Sequence, residues 1–136
     1  MQLAADANVL LSAVIGGRAR LIFLHPGIRR VFTTGATFAE VEQYALVLAK
    51  KRRLPADILL LALAAMPVTI VERSDYAKHL PEAWNRIAQR DPDDAELLAL
   101  ALHLDVPVWS NDRDFERLGV EWFTTEKLLR HLKLIP

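Results

Sequence analysis

The sequence predicts an α/β fold: a central parallel sheet of four to five strands, covered by helices on both faces. Short apolar strand candidates alternate with helical segments along the chain. Those candidates lack the apolar–polar alternation of a strand with one wet face, so both faces should be covered. There is also an internal echo. Leu59 to Val68 and Leu97 to Val106 are each an apolar helix feeding an apolar strand, as two αβ units of one parallel sheet would be.

Taken in order, Gln2 to Ala5 is a strand that ends at Asp6. Asn8 can cap a helix from Val9 to about Ile15, which Gly16-Gly17 ends. Arg18 to Leu24 is a short helix closed by His25-Pro26-Gly27, and Arg30 to Thr33 is the second strand. Gly35 breaks the chain there. Thr37 then caps a long helix to about Arg53, with Phe38, Val41, Ala45 and Leu48 at helical spacing. Pro55 suits the start of the next helix, Ala56 to Met66. Val68 to Val71 is β-branched and short, and reads as a buried strand. Two short helices follow, Asp75 to Leu80 and Glu82 to Gln89. Next come an apolar helix after Asp91-Pro92-Asp93-Asp94-Ala95-Glu96 and a strand, Val106 to Trp109. Glu121 to Phe123 is a weak last strand, and Thr125 caps a closing helix to about Lys133.

A length of 136 residues suits one domain, 1–136, and no linker or low-complexity segment divides it. Apolar residues make up 52%, enough for a sizeable core. With 17 basic and 17 acidic residues the chain is neutral, so any nucleic-acid contact should be local or metal-assisted. The absence of cysteine excludes thiol chemistry. The start shows no secretory signal, and the longest apolar run, Ile58 to Met66, is too short to span a bilayer. The expectation is a cytoplasmic protein with no membrane contact.

The acids carry the functional reading. In a parallel α/β sheet, strand carboxyl ends and helix amino ends share one edge, where ligands bind. Asp6 ends the first strand and Asp112 follows the strand ending at Trp109. Glu40 and Asp94 are expected in the first turns of their helices. A helix going down and a strand coming back cover about the same distance, roughly 15 Å, which returns Asp112 to the level of Asp94. Four carboxylates together repel unless a cation sits among them. Hard divalent cations with oxygen ligands, Mg²⁺ or Mn²⁺, suit such a site, and no His lies beside the acids to favour zinc. Singly, each acid also reads as a helix cap, a first-turn charge against the helix dipole or a turn residue. Their joint landing on one edge favours a metal site.

Asp6-Ala7-Asn8-Val9-Leu10 resembles the opening segment of the PIN domain family. Ala39-Glu40-Val41 is similar to that family's second acid segment. Asp91 to Ala95 with its apolar helix, and Ser110-Asn111-Asp112-Arg113-Asp114-Phe115, resemble the third and fourth. The resemblance implies a Rossmann-like three-layer α/β/α sandwich and Mg²⁺- or Mn²⁺-dependent ribonuclease activity. It further implies, as for the many VapC-type toxins of the family, an RNA substrate and a cognate antitoxin partner. It places metal ligation on Asp6, Glu40, Asp94 and Asp112, with Asp114 as a supporting fifth acid. Ser110 stands where the family often has Thr, and Asn8 matches a polar position beside the first acid. Glu42 lies about 200° around the helix from Glu40, so only one of the two should face the site. Asp93 competes with Asp94, which is preferred because it directly precedes Ala95 and the apolar helix.

Arg90 and Arg113 adjoin acid segments and are read either as phosphate contacts or as carboxylate partners. Lys50-Lys51-Arg52-Arg53 reads as a solvated helix end, with phosphate contact as the alternative. The four His residues are scattered without ligand spacing and read as structural. The leucine-rich helices Ala56 to Met66 and Thr125 to Lys133 offer surface for a homodimer, which is expected. Two other functions compete with a nuclease: an inactive PIN-like module that binds RNA or protein, and a receiver-like phosphoacceptor. The second would want paired acids after the first strand, where Asp6 stands alone.

Overall fold

A computed structural model describes residues 1–87 and 91–136, and only the backbone of Asp93. Five strands form one parallel sheet in the order β3-β2-β1-β4-β5. They are β1 (Gln2–Ala5), β2 (Arg30–Thr34), β3 (Val68–Val71), β4 (Val108–Trp109) and β5 (Trp122–Phe123). The helices are α1 (Ala7–Val14), α2 (Ala19–Leu24), α3 (Gly35–Arg52), α4 (Ala56–Ala64), α5 (Arg73–Tyr76), α6 (Leu80–Ile87), α7 (Pro92–Leu104) and α8 (Thr125–His131). The sequence-predicted tail of α6 at Ala88 and Gln89 lies outside the described residues.

Both faces of the sheet are covered, and strand alternation divides the core between them. Leu3, Ala5, Val31 and Trp109 point to one face and pack with α1, α2, Val41 of α3, Leu63 of α4, and Leu128 and Leu129 of α8. Ala4, Phe32 and Val108 point to the other and pack with Tyr76, α6, α7, Phe115 and Leu118. From Ala95 to Ala101, α7 is buried all round except at Glu96, which is mostly buried, and this explains its nearly unbroken apolar sequence. The three-layer α/β/α sandwich is thus observed, with five strands. β3 departs from the buried strand expected. It is an edge strand with one neighbour, and Thr69 and Ile70 are exposed.

Several helices begin earlier than the sequence reading, and in three of them, which start one to three residues early, the cap lies at a strand end. Asp6, Thr34 and Thr124, each in extended backbone, are the caps, in place of Asn8, Thr37 and Thr125. Asp6 Oδ1 accepts from Ala7 N at 2.8 Å, and Thr34 Oγ1 accepts from Thr37 N at 2.9 Å. Thr124 Oγ1 accepts from Lys127 N at 3.1 Å. The cap is the first residue after β1 or β5, or the last of β2, so strand turns into helix with almost no loop. Gly35, expected to break the chain, is instead the first residue of α3.

The α1–α2 turn needs its two glycines. Gly16 adopts φ +90°, a left-handed conformation that side chains disfavour. A Cβ at Gly17 would collide with Ser12 Oγ and approach Ser12 O to 3.0 Å. The chain therefore folds back against α1, and Gly17 N donates to Ser12 O at 2.8 Å.

Candidate metal centre

The order β3-β2-β1-β4-β5 reverses between β1 and β4, and at the carboxyl ends of these two strands a crevice is expected. Asp6 leaves β1 there and Ser110 leaves β4. Ser110, fully buried, donates to Asp6 Oδ2 at 2.6 Å and accepts from Asp112 N at 3.0 Å. Asn8 Nδ2 donates to Asp6 Oδ2 and to Ser110 Oγ, both at 3.3 Å. Asn8 Oδ1 accepts from Asn111 N at 3.2 Å, and Asn111 Oδ1 accepts from Thr125 N at 2.8 Å. The Trp122 indole donates to the Ser110 carbonyl at 2.8 Å. The loop after β4 is thus tied to β1, α1, β5 and α8, and it presents Asp112 and Asp114 from a fixed frame. Asp112 Oδ1 accepts from Asp114 N at 2.9 Å, closing a 3₁₀ turn over Arg113–Phe115.

Asp94, in the first turn of α7, faces this loop. Asp94, Asp112 and Asp114 each offer a carboxylate oxygen within 4.8 Å of the others. Asp94 is 7% exposed, and its Oδ2 is buried with no hydrogen-bond partner among the described residues. Burial first, and then the negative charges of Asp6, Asp91, Asp112 and Asp114, push the Asp94 carboxyl up to about 8. Asp6 is also raised from its ordinary value, by burial above all. The Ser110 hydroxyl and the Ala7 N–H oppose that rise, and Asp112 and Asp91 add to it. An orphaned carboxylate oxygen beside two more carboxylates is a donor set of hard oxygens. It fits a hard divalent cation of the Mg²⁺ or Mn²⁺ kind, whose charge would relieve the repulsion.

The sequence-predicted residues fall as follows. Asp94 and Asp112 are brought together, and Asp114, expected in support, stands within ligand distance of both. Asp6 lies close enough to raise Asp94 but is not part of that close group, and its oxygens are engaged by Ala7, Asn8 and Ser110. Glu40 is in the second turn of α3, not the first as expected, because α3 starts at Gly35. It is half-buried where Glu42 is exposed, and it is also outside the close group. Arg113 is exposed and pairs with Glu116 at 3.7 Å. Arg90 and the Asp93 side chain lie outside the described residues. Lys50, Lys51 and Arg52 occupy the last turn of α3 and are exposed. His25 holds a turn, its Nδ1 accepting from Gly27 N at 2.9 Å.

A neighbouring polar group was not singled out from sequence. Glu96, two residues after Asp94, meets Arg73 of α5 at 3.1 Å, and its Oε2 is buried without a hydrogen-bond partner among the described residues. Tyr76 is buried beside it; burial and then Glu96 push the phenol far up, with Thr34 as a further polar neighbour. The signal was present. A helix that is apolar on every side cannot expose an acid near its start, so Glu96 had to be enclosed.

Replacing Ser110 tests the frame. Ser110→Ala removes one donor and one acceptor from buried partners, and should cost about 2 kcal/mol and weaken Mn²⁺ binding about tenfold or more. Ser110→Thr, which keeps the hydroxyl, should recover most of the binding. Calorimetric titration and thermal melts of the two variants check this.

A doubly covered parallel sheet with acids at its switch point defines an α/β fold of the Rossmann-like class. Within that class, the chain belongs to the PIN domain family, whose sequence pattern matches residues 5–133. Comparison with curated protein sequences gives no match. Among solved structures, PAE2754 from Pyrobaculum aerophilum is similar with a TM-score of 0.73 at 16% identity, over 99% of this chain and 91% of that one. A toxin-antitoxin complex from Klebsiella pneumoniae is similar with a TM-score of 0.66 at 20% identity, over 90% and 97%. VapC20 from Mycobacterium tuberculosis, a toxin that cleaves the sarcin-ricin loop, is similar with a TM-score of 0.61 at 16% identity, over 87% and 95%. At these identities the likeness is one of fold.

Proposed function

We propose that residues 1–136 form one nuclease domain, a divalent-metal-dependent ribonuclease that hydrolyses RNA phosphodiester bonds and acts as the toxin of a toxin-antitoxin pair. The observation that carries this is the buried Asp94, whose Oδ2 has no hydrogen-bond partner among the described residues, set against Asp112 and Asp114 in a PIN fold. Asp94, Asp112 and Asp114 would hold Mg²⁺ or Mn²⁺, with Asp6 and Glu40 completing the acid set. When bound, the cation supplies Lewis acidity and lowers the pKa of water to a useful range. The chain's own contribution is position and proton management. Ser110 and Asn8 hold Asp6 in one orientation, so its charge is aimed without rearrangement. A carboxylate of the set takes the proton from the attacking water. Arg113, exposed beside Asp112, and Arg90 are proposed to meet a phosphate.

The toxin reading draws support from the Klebsiella complex and from VapC20, both alike in fold. An antitoxin partner, a homodimer and a cytoplasmic location belong to the same proposal. No helix among the described residues is long and apolar enough to cross a membrane. An inactive binding module is disfavoured because buried carboxylates that repel one another destabilise a fold that has no use for them. The test is a cleavage assay on structured and single-stranded RNAs with Mg²⁺ and with Mn²⁺. Cleavage that requires the metal is expected; intact RNA under every condition sinks the proposal.

A further inference from the structure

We propose a second anion site in this chain, a subsite for a backbone phosphate of the RNA strand, beside the acid cleft on its β5–α8 side; it rests on the nuclease reading above. A cavity of about 320 Å³ opens there, lined by Ser12, Arg18, Asn111, Thr124 and Glu126 among others. Asn111 follows β4 and directly precedes Asp112, and Thr124 follows β5. The cavity therefore opens at the sheet edge that carries the acids, and Asn111 is the step between the two.

Among the described residues, its polar groups are mostly donors without an acceptor. Arg18 is exposed and makes no ion pair among the described residues. The acid that shares the cavity, Glu126, is already engaged by Arg130 at 2.8 Å. Asn111 Oδ1 is fixed by Thr125 N, which leaves its amide N–H₂ as the free end. Thr124 Oγ1 accepts from Lys127 N and keeps its own proton to donate. Ser12 adds another hydroxyl. Arg18 follows the Gly16-Gly17 turn and lines the cavity together with Ser12, and a Cβ at Gly17 would push into Ser12 Oγ. A guanidinium with convergent hydroxyl and amide donors matches a phosphate. The acids at the cleft repel a polyanion, so a strand crossing it needs a cationic hold to one side, and the neutral chain has few surplus charges to supply one.

The test is anisotropy of a short 5′-labelled single-stranded RNA against the full chain with Ca²⁺ present, over a salt series, with RNA integrity checked on a gel. Arg18→Ala is expected to weaken binding roughly three- to tenfold and to reduce the slope of log K against log salt by about 0.7. Arg18→Lys should keep the slope and lose only part of the affinity, and both variants should match wild type in thermal melting and Mn²⁺ binding. Wild-type affinity and slope in Arg18→Ala would overturn the subsite while leaving metal-dependent cleavage, and so the nuclease reading, standing. An equal loss for a polyglutamate peptide would overturn it too, as a general anionic contact. Wild type that neither binds nor cleaves RNA would overturn both.

Discussion

Asp112→Asn should reduce metal-dependent RNA cleavage by roughly a thousandfold or more, with the fold intact. The substitution is nearly isosteric, and Asn keeps the Oδ1 acceptor that Asp114 N uses to close the 3₁₀ turn. The Ser110 acceptor for residue 112's backbone N–H is also untouched. What is lost is one negative charge from the group of Asp94, Asp112 and Asp114. Thermal melting in the absence of metal should stay within a few degrees of wild type, whereas Mn²⁺ titration should show a large loss of affinity. Cleavage at the wild-type rate by the Asn protein would show that Asp112 has no part in the chemistry.

Asp94→Asn should stabilise the metal-free protein at neutral to alkaline pH, the reverse of what loss of a structural residue does. The wild-type carboxyl is moved from 3.8 in the unfolded chain to about 8 in the folded one. Between those values the native state holds a proton that the unfolded state has released. Metal-free stability therefore falls as pH rises from about 4 to about 8, by up to about 1.4 kcal/mol per pH unit for this group, and levels off above. Relaxation and water penetration reduce the total, so the Asn variant should gain about 2–4 kcal/mol at pH 8. Mn²⁺ should restore wild-type stability and release protons on binding below pH 8. Melting curves from pH 5 to 9, with and without Mn²⁺, are the measurement; parallel pH profiles for wild type and variant would refute the account.

Much of this architecture was legible because its causes are local. Strands such as Gln2–Ala5 and Val68–Val71 are short apolar runs with clear ends, and α7 is recognisable by length and composition alone. The convergence of Asp94 and Asp112 followed from helix rise and strand rise, and it is observed. Less legible were features that depend on how strand meets helix. Thr34 and Thr124 take the cap positions from Thr37 and Thr125, because a strand-end residue is already extended, as a cap must be. That earlier start puts Glu40 in the second turn of α3. Asp114 stands closer than expected because the 3₁₀ turn folds it back towards Asp112, a geometry that spacing does not reveal. Glu96 and Tyr76 meet only in three dimensions, across α5 and α7.

The contact between Ser110 and Asp6 joins residues 104 positions apart, and β1 finds its second neighbour, β4, only after β2 and β3 have been made. During synthesis the emerging chain can pair β1 with β2 and β2 with β3 early, while the other flank of β1 stays bare. Loop-closure entropy makes so distant a pairing slow, and the open flank is a hazard for misassembly while it lasts. The acid group needs α7 and the loop after β4 together, so a ribosome-bound fragment ending before residue 108 holds no Asp112 and no Ser110. On the nuclease reading proposed above, a nascent chain of this fold cannot assemble its acid group until the last strands dock.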